Sequence, residues 1–573
     1  MFGFRGLAFL VCLSSINCFA DEPADVILHH GKIVTVNQDF AVAESLAIRG
    51  ERIIAVGTNT DVLKLKGAAT ELIDLGGKMV LPGLMDSHTH PSGAAMHEFD
   101  HPIPEMETIE DVLAYVRARA AALPEGKWIS ISQVFITRLQ EPRYPTRQEL
   151  DAAAPKHPVV FSTGPDSMCN SLALEKSGIG KDFQVTGSGF LEKDPQTGEP
   201  TGLLRNCSRY IKSEGSSKSA TGEERLQRLA ELFHDYNSVG ITAIADRNAG
   251  SGDIGRYQEL LEKNKLTVRI ACSHAVDGQS RLESIQQKMA ELGKHPLRAE
   301  NPWLRIVGTK CFLDGGMLTG SAYMRQPWGV SRTYSITDPA YRGILFIEPE
   351  KLEKMVEAAV ENGLQFTAHS VGDAAVHTLL DAYEKVNARR PVKETRPCLT
   401  HSNFMSREAS LQMKKLGVVA DIQPAWLYLD ARVLSLQFGQ DRLRYFQPLK
   451  TLFADGVIVG GGSDHMQKIG SLRSVNPYNP FLAMWVTVTR QARRFEGALH
   501  PEEALTREQA IRFYTGNNAY VMFLEKETGS LETGKLADLI VVDRDLLACP
   551  VDDIRTTQVL STYVGGKRVF ARQ

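Results

Sequence analysis

No Cys-x-x-Cys pair occurs in this 573-residue chain, and its eight cysteines are scattered. Cys12 and Cys18 fall in the first twenty residues; Cys169, Cys207, Cys272, Cys311, Cys398 and Cys549 stand apart from one another. That argues against a disulfide framework in a chain of this size, although an oxidising compartment would permit an isolated bridge. There is no basic stripe. Lys and Arg total 65 against 68 Asp and Glu, a net charge of −3, and the pI is near 6.6. Nucleic acid is therefore a poor partner, and a small-molecule substrate is the better expectation. Beyond residue 20 no apolar run reaches the roughly twenty residues that a membrane-spanning helix needs, so no span is expected in the mature chain. Repeats and low-complexity tracts are missing too. What remains is an ordinary folded composition, 43% hydrophobic and 23% charged, long enough for two to four domains.

The first twenty residues differ from the rest. Arg5 is the one charged side chain before an apolar run from Leu7 to Ile16, and Cys18-Phe19-Ala20 puts small residues ahead of Asp21. Length and order predict a signal peptide over residues 1–20, with export to the periplasm or beyond. The apolar run is about half what a membrane anchor requires. Ile16-Asn17 is a poor lead-in for a lipoprotein site at Cys18.

After the signal, residues 21–80 read as short β segments punctuated by Gly and Asn, and residues 525–573 have the same texture. Two β-rich ends around a long middle predict one small β-sandwich built from both termini. In the middle, 81–524, eight apolar runs of strand length each end in polar or ionisable residues: 80–90, 240–246, 266–274, 305–315, 364–370, 397–404, 418–426 and 457–464. Amphipathic stretches such as 350–363 separate most of them. This alternation predicts an α/β fold, a (β/α)₈ TIM barrel, whose parallel strands are buried on both faces. The interval from Pro91 to about Thr221 shows no barrel unit and reads as an insertion after the first strand, on the catalytic side. Thr506-x-x-Gln509 is a capping box opening a late helix.

His88-Thr89-His90 is the strongest local signal, because alternate residues of a strand point the same way and two imidazoles can reach one metal. Lys310 lies inside an apolar strand, where an unpaired ammonium costs several kcal/mol. His369, His401 and Asp464 end the fifth, sixth and eighth runs. One strand-end histidine is commonly a hydrogen-bonded core residue. Six such residues converging on the C-terminal mouth of one barrel mark a site.

These residues sit in motifs that resemble the amidohydrolase superfamily, and within it the YtcJ-like (amidohydrolase 3) branch. LPGLMDSHTH (81–90), TGEPTGLL (197–204), VGITAIAD (239–246), GTKCFLDGGMLTGSA (308–322), HSVGDAAV (369–376), GGSD (461–464), YTGNNA (514–519) and GSLETGKLADLIVVD (529–543) span nearly the whole mature chain. The resemblance implies a barrel with a small sandwich and one or two divalent ions, usually Zn²⁺. It implies His88 and His90 as ligands of the first metal and His369 and His401 of the second. It implies Lys310 as an N6-carboxylated lysine bridging the two, and Asp464 as the strand-eight aspartate, both ligand and general base. One departure is Thr400, where the family often has Glu before the strand-six histidine.

Other motifs compete. His97-Glu98-Phe99-Asp100-His101 matches HExxH, but Pro102 and Pro104 oppose the continuous helix that motif needs. Gly529 to Lys535 mimics a phosphate loop, yet Leu536 replaces the required hydroxyl residue. Asp373, Asp314 and Asn403 lie near the ligands in sequence and read equally well as structural. Arg325, Arg473 and Arg490 could meet an anion or simply be solvated. The reaction expected is attack of metal-activated water on a non-peptide C–N bond of an amide, N-acyl amine or formamide. That preference comes from the resemblance; ligand spacing alone fits a deaminase or an esterase as well. A catalytically silent binding protein would be favoured if any of the six residues were missing, and all are present.

Overall fold

A computed structural model describes residues 22–132, 134–164, 166–214, 218–299 and 301–573. Residues 1–20, read above as a signal peptide, lie outside the described residues. Eight parallel strands form one sheet: β1 (Leu84–Thr89), β2 (Ile241–Ala249), β3 (Arg269–Ala275), β4 (Leu304–Phe312), β5 (Gln365–Ser370), β6 (Cys398–His401), β7 (Val419–Ile422) and β8 (Val459–Gly461). Each pairs with the next in parallel, with register shifts in the β1–β2, β2–β3 and β3–β4 pairings. The seam between β8 and β1 closes just beyond β8: Asp464 N–H donates to His88 O at 2.8 Å, and His90 N–H to His465 O at 2.8 Å. Asp86 stitches the same seam, accepting from the amides of His88 and Ser463, each at 3.0 Å.

The apolar runs are continuous because helices cover the outer face while side chains fill the interior. In the helix Pro349–Glu361, Leu352, Met355, Val356 and Ala359 are buried at the spacing of one helical stripe. Proline opens that helix where no backbone donor is needed. Thr506 and Gln509 form the expected capping box of Arg507–Phe513.

The run 80–90 belongs to two sheets. Met79–Pro82 pairs with Lys32–Val34 and Leu539–Val542 in a six-stranded sheet, and the chain turns at Gly83 into β1. A Cβ at Gly83 would lie 2.2 Å from Thr242 Oγ1, so only glycine fits there. Similarly, the β-rich stretch from Val26 to Val34 divides at His30, in the left-handed region (φ 54). Val26–His29 joins a four-stranded sheet and Lys32–Val34 the six-stranded one. Leu28, Ile33, Leu46, Val80, Leu539 and Val541 share one core between these sheets. A buried ion pair ties this unit to the barrel: Arg269 Nε and Nη2 lie 2.6 and 2.8 Å from the carboxylate oxygens of Asp538.

Between β1 and the helix Gly222–Ser238 the chain builds a five-stranded sheet of its own. Its order is Phe190–Lys193, Pro200–Arg205, Ser167–Cys169, Val159–Ser162, Ile129–Ser132. The last two strands run parallel with the helix Arg147–Ala153 between them. Strand–helix units therefore do occur in the stretch 91–221, but they serve a separate sheet.

Candidate metal centre

All six residues read from the sequence line one cavity of about 440 Å³ at the C-terminal mouth of the barrel. Three form a tight donor group: the metal-binding atoms of His88, His90 and Asp464 lie within 4.8 Å of one another. Asp464 Oδ1 is 3.3 Å from His88 Nε2 and 3.1 Å from His90 Nε2. Two imidazole nitrogens and a carboxylate oxygen make a mixed N/O set that suits zinc and its first-row neighbours. His88 Nδ1 lies 2.8 Å from Asp421 Oδ1, which holds the proton on Nδ1 and presents the Nε2 lone pair to the cavity. His401 is oriented the same way, with Nδ1 2.7 Å from Gln423 Oε1 and its ring stacked on Trp426 at 4.6 Å. His369 packs edge-on against His401, ring centroids 4.5 Å apart, with Nε2 3.3 Å from the Gly315 carbonyl. The donor set therefore fits a metal at the β1–β8 seam, and a second group of nitrogens stands beside it.

Burial sets the protonation. It pushes the His88 and His401 imidazoles well below their ordinary value, with Lys310 next in effect on His88 and His369 next on His401. His369 is brought down to about 3, by burial and then by the Lys310 charge. Neutral imidazoles are the form that binds metal. Burial also lowers the Lys310 amine, opposed by Asp421 and Asp464, and raises the Asp464 carboxyl against its contact with His90. Lys310 rests 5.1 Å over the Phe312 ring and makes no ion pair among the described residues. Asp314, close to Lys310 in sequence, is taken up by the amides of Tyr323, Val371 and Gly372 at 2.9–3.0 Å. His401 and Asp464 both have left-handed backbones (φ 75 and 57), a strain that typically costs about 1–3 kcal/mol and gathers at functional sites.

Thr400 supports a different ligand from the one its sequence position suggests. Its hydroxyl donates to Asp421 Oδ2 at 3.0 Å, and Asp421 holds His88. The HExxH segment is not helical throughout: the helix Pro91–Met96 ends at His97. His101 turns instead to Asp100 and Tyr115. Asp373 opens the helix Asp373–Asn387 and accepts from Arg325 N–H at 2.8 Å. Arg490 is fully buried and donates to the carbonyls of Leu499, Gln447 and Phe446, so it is structural. The side-chain amide of Asn403 is buried without a partner among the described residues.

Several contributors went unread in the sequence. Asp246, at the end of the run 240–246, lines the cavity and is raised to about 6 by burial. Phe135, Thr163 and Gly164 reach the cavity from the insertion. Asn476 donates from Nδ2 to Asp464 O at 2.7 Å and lies 3.4 Å from Asp464 Oδ2. Asn476 accepts from Arg138 Nη1 at 2.9 Å, and Arg138 forms a two-pronged ion pair with the buried Asp430 at 3.2 and 3.0 Å. The insertion thus braces the segment that carries Asp464.

A closed parallel barrel with histidines and an aspartate converging at its C-terminal mouth is the layout of a metal-dependent hydrolase. The family model described as "Amidohydrolase family" matches residues 71–570, and the chain belongs to that family, hydrolases of carbon–nitrogen bonds. It is 28% identical over 559 residues to an N-substituted formamide deformylase of Arthrobacter pascens, covering 96% of this chain and 98% of that one. It is 24% identical to the putative amidohydrolase YtcJ of Bacillus subtilis (strain 168), covering 95% of this chain and 99% of that one. Among solved structures, an uncharacterized metal-dependent hydrolase from Pyrococcus furiosus superposes with a TM-score of 0.64 at 23% identity. It covers 91% of this chain and 100% of its own.

Proposed function

We propose that the protein is an exported zinc hydrolase of N-substituted formamides or closely related N-acyl amines. The observation that carries this reading is the convergence of His88, His90 and Asp464 at the β1–β8 seam, with Asp421 behind His88. The likeness to the formamide deformylase, over almost the full length of both chains, supports the substrate class. His88, His90 and Asp464 would hold one ion, and His369 and His401 a second. A bound divalent ion lowers the pKa of water toward neutrality and polarises a carbonyl. Asp464 takes the proton of the attacking water and returns it to the leaving nitrogen. The apolar wall around Trp426, Phe312 and Phe135 offers a seat for the substituent on nitrogen.

Lys310 enters as its carbamate. The neutral amine would attack carbon dioxide, forming a C–N bond as one C=O π bond opens and one proton is released, and the resulting carboxylate would offer oxygen ligands to bound metal. Its burial and lack of an ion pair support this. The N-terminal segment supports export; Asp21 is the expected first residue on N-terminal sequencing of exported protein.

The test is to supply Zn²⁺ to purified protein and assay an N-substituted formamide for formate and free amine in equal amounts. Release of ammonia from an aminated heterocycle, with no formate from any formamide, would replace this reading with a deaminase. Lys310→Ala is expected to lose the second metal and most activity, with partial rescue by short carboxylic acids. Two ions per chain in that variant, by elemental analysis, would remove the bridge.

A further inference from the structure

Beside the metal cavity lies a second one of about 450 Å³, and Phe135 lines both. Part of its lining is apolar, including Met106, Val475, Leu482 and the exposed Leu472. Its charged lining is unbalanced, with Arg138, Lys468, Arg473, Arg493 and Arg555 against Glu105 and Glu107. Most of these cations are engaged. Arg138 is paired with Asp430, Arg473 with Glu98 and Arg493 with Glu107; Arg555 is exposed and lies over the Trp485 ring.

Lys468 is different. It is 5% exposed, and among the described residues its ammonium makes one hydrogen bond, a 3.5 Å contact with the Pro104 carbonyl, and no ion pair. The fold holds it there under strain. Its backbone is left-handed (φ 60), and His465 Nε2 lies 2.8 Å from the carbonyls of both Gln467 and Lys468. A buried ammonium with so thin a shell is unfavourable until an acceptor completes it. Lys468 follows Asp464 by four residues in the same loop and lines the second cavity, which shares Phe135 with the metal cavity, so a molecule reaching from one cavity into the other could supply that acceptor. Glu98 and Glu105 are near enough to favour its charge, but neither forms an ion pair with it, so one ammonium is left to match one negative charge.

We propose that Lys468 is a specificity-determining residue that receives a carboxylate borne by the substrate. On this inference, which rests on the hydrolytic reading above, the preferred substrate is an amide whose apolar body ends in a carboxylate. The scissile group sits at the metal cavity, the body passes Phe135, and the carboxylate meets Lys468.

The experiment compares two formamides that differ only at the far end, one a carboxylate and the other its neutral carboxamide, on zinc-loaded protein. The parent is expected to favour the acid in kcat/KM by on the order of tenfold or more, the effect of one hydrogen bond to a charged group. Lys468→Met should lose that preference through KM for the acid and stay within about twofold on the carboxamide, while Lys468→Arg should keep part of it. Absence of a preference in the parent, or equal losses on both compounds in Lys468→Met, would overturn the proposal while leaving the hydrolase reading intact. If neither compound is cleaved, the formamide reading fails and calorimetry decides the subsite. Binding of the acid by the parent that is lost in Lys468→Met supports it, and equal binding overturns it. A melting scan checks that each variant is folded, and Lys468→Arg serves if Lys468→Met is not.

Discussion

Asp464 is gripped from three sides: by His88 O through its own amide, by Asn476 through its carbonyl, and by His90 beside its carboxylate. Asp464→Asn keeps an oxygen in that place but cannot accept the proton of the attacking water. It should lower kcat by roughly 10²–10⁴-fold, the usual range for a proton-transfer group, while elemental analysis still finds metal. Turnover within a few-fold of the parent would take the base role away from Asp464. His97 makes a different prediction. Burial, and then the nearby Lys468 charge, push it down to about 4, and neither ring nitrogen has a partner among the described residues. Between pH 6.5 and 4 the unfolded chain binds a proton there that the folded chain refuses, so stability falls as the pH drops through that window. A shift of that size corresponds to roughly 3 kcal/mol. His97→Leu should therefore melt with a shallower acid dependence than the parent, and equal slopes would mean that the folded ring accepts the proton. The six cavity residues were legible in the sequence because each lies in or directly after an apolar run. Their supports were not. Asp421 meets His88 across 333 residues, and Arg138 meets Asn476 across 338. The first pair follows from barrel closure and the second from docking of the insertion, and neither leaves a local pattern.

At the scale of elements, the eight runs became eight strands because a strand buried on both faces must be apolar along its length. What periodicity could not show was the change of sheet inside 80–90, since both halves are equally apolar and Gly83 alone marks the joint. Gly83→Ala drives a methyl group into Thr242, which is itself fully buried. Overpacking of this kind should destabilise by about 1–3 kcal/mol. Thr242→Ala in the same chain removes the two nearest clashing atoms and should recover part of the loss. A Gly83→Ala chain that melts with the parent would show that the joint has slack. The sheet within 91–221 escaped notice for another reason: its strands are short, and polar loops interrupt them.

On the scale of the molecule, the two ends of the chain are structurally interdependent. Leu539–Val542 lies in the interior of the six-stranded sheet, between Met79–Pro82 and Val559–Val564. Ending the chain after Leu524 would strip three strands from that sheet and leave Arg269 buried without Asp538. Loss of one partner of a buried pair is severe, so the truncated chain is expected to aggregate, or to expose residues 22–82 to limited proteolysis. A soluble truncation product that keeps full activity would show the termini to be separable.

The brace from Arg138 through Asn476 to Asp464 bears on how such an enzyme can be re-engineered. Barrel enzymes invite segment grafting, in which a donor's substrate-facing insert is spliced onto a retained catalytic core. Here the insert supplies one end of the scaffold under the general base, so a transplant without an arginine equivalent to Arg138 leaves Asn476 Oδ1 without that donor and the buried Asp430 without its cation. Chimeras of this chain would then change turnover along with substrate preference, unless the helix carrying Asp430 and the loop carrying Asn476 travel with the insert as one cassette.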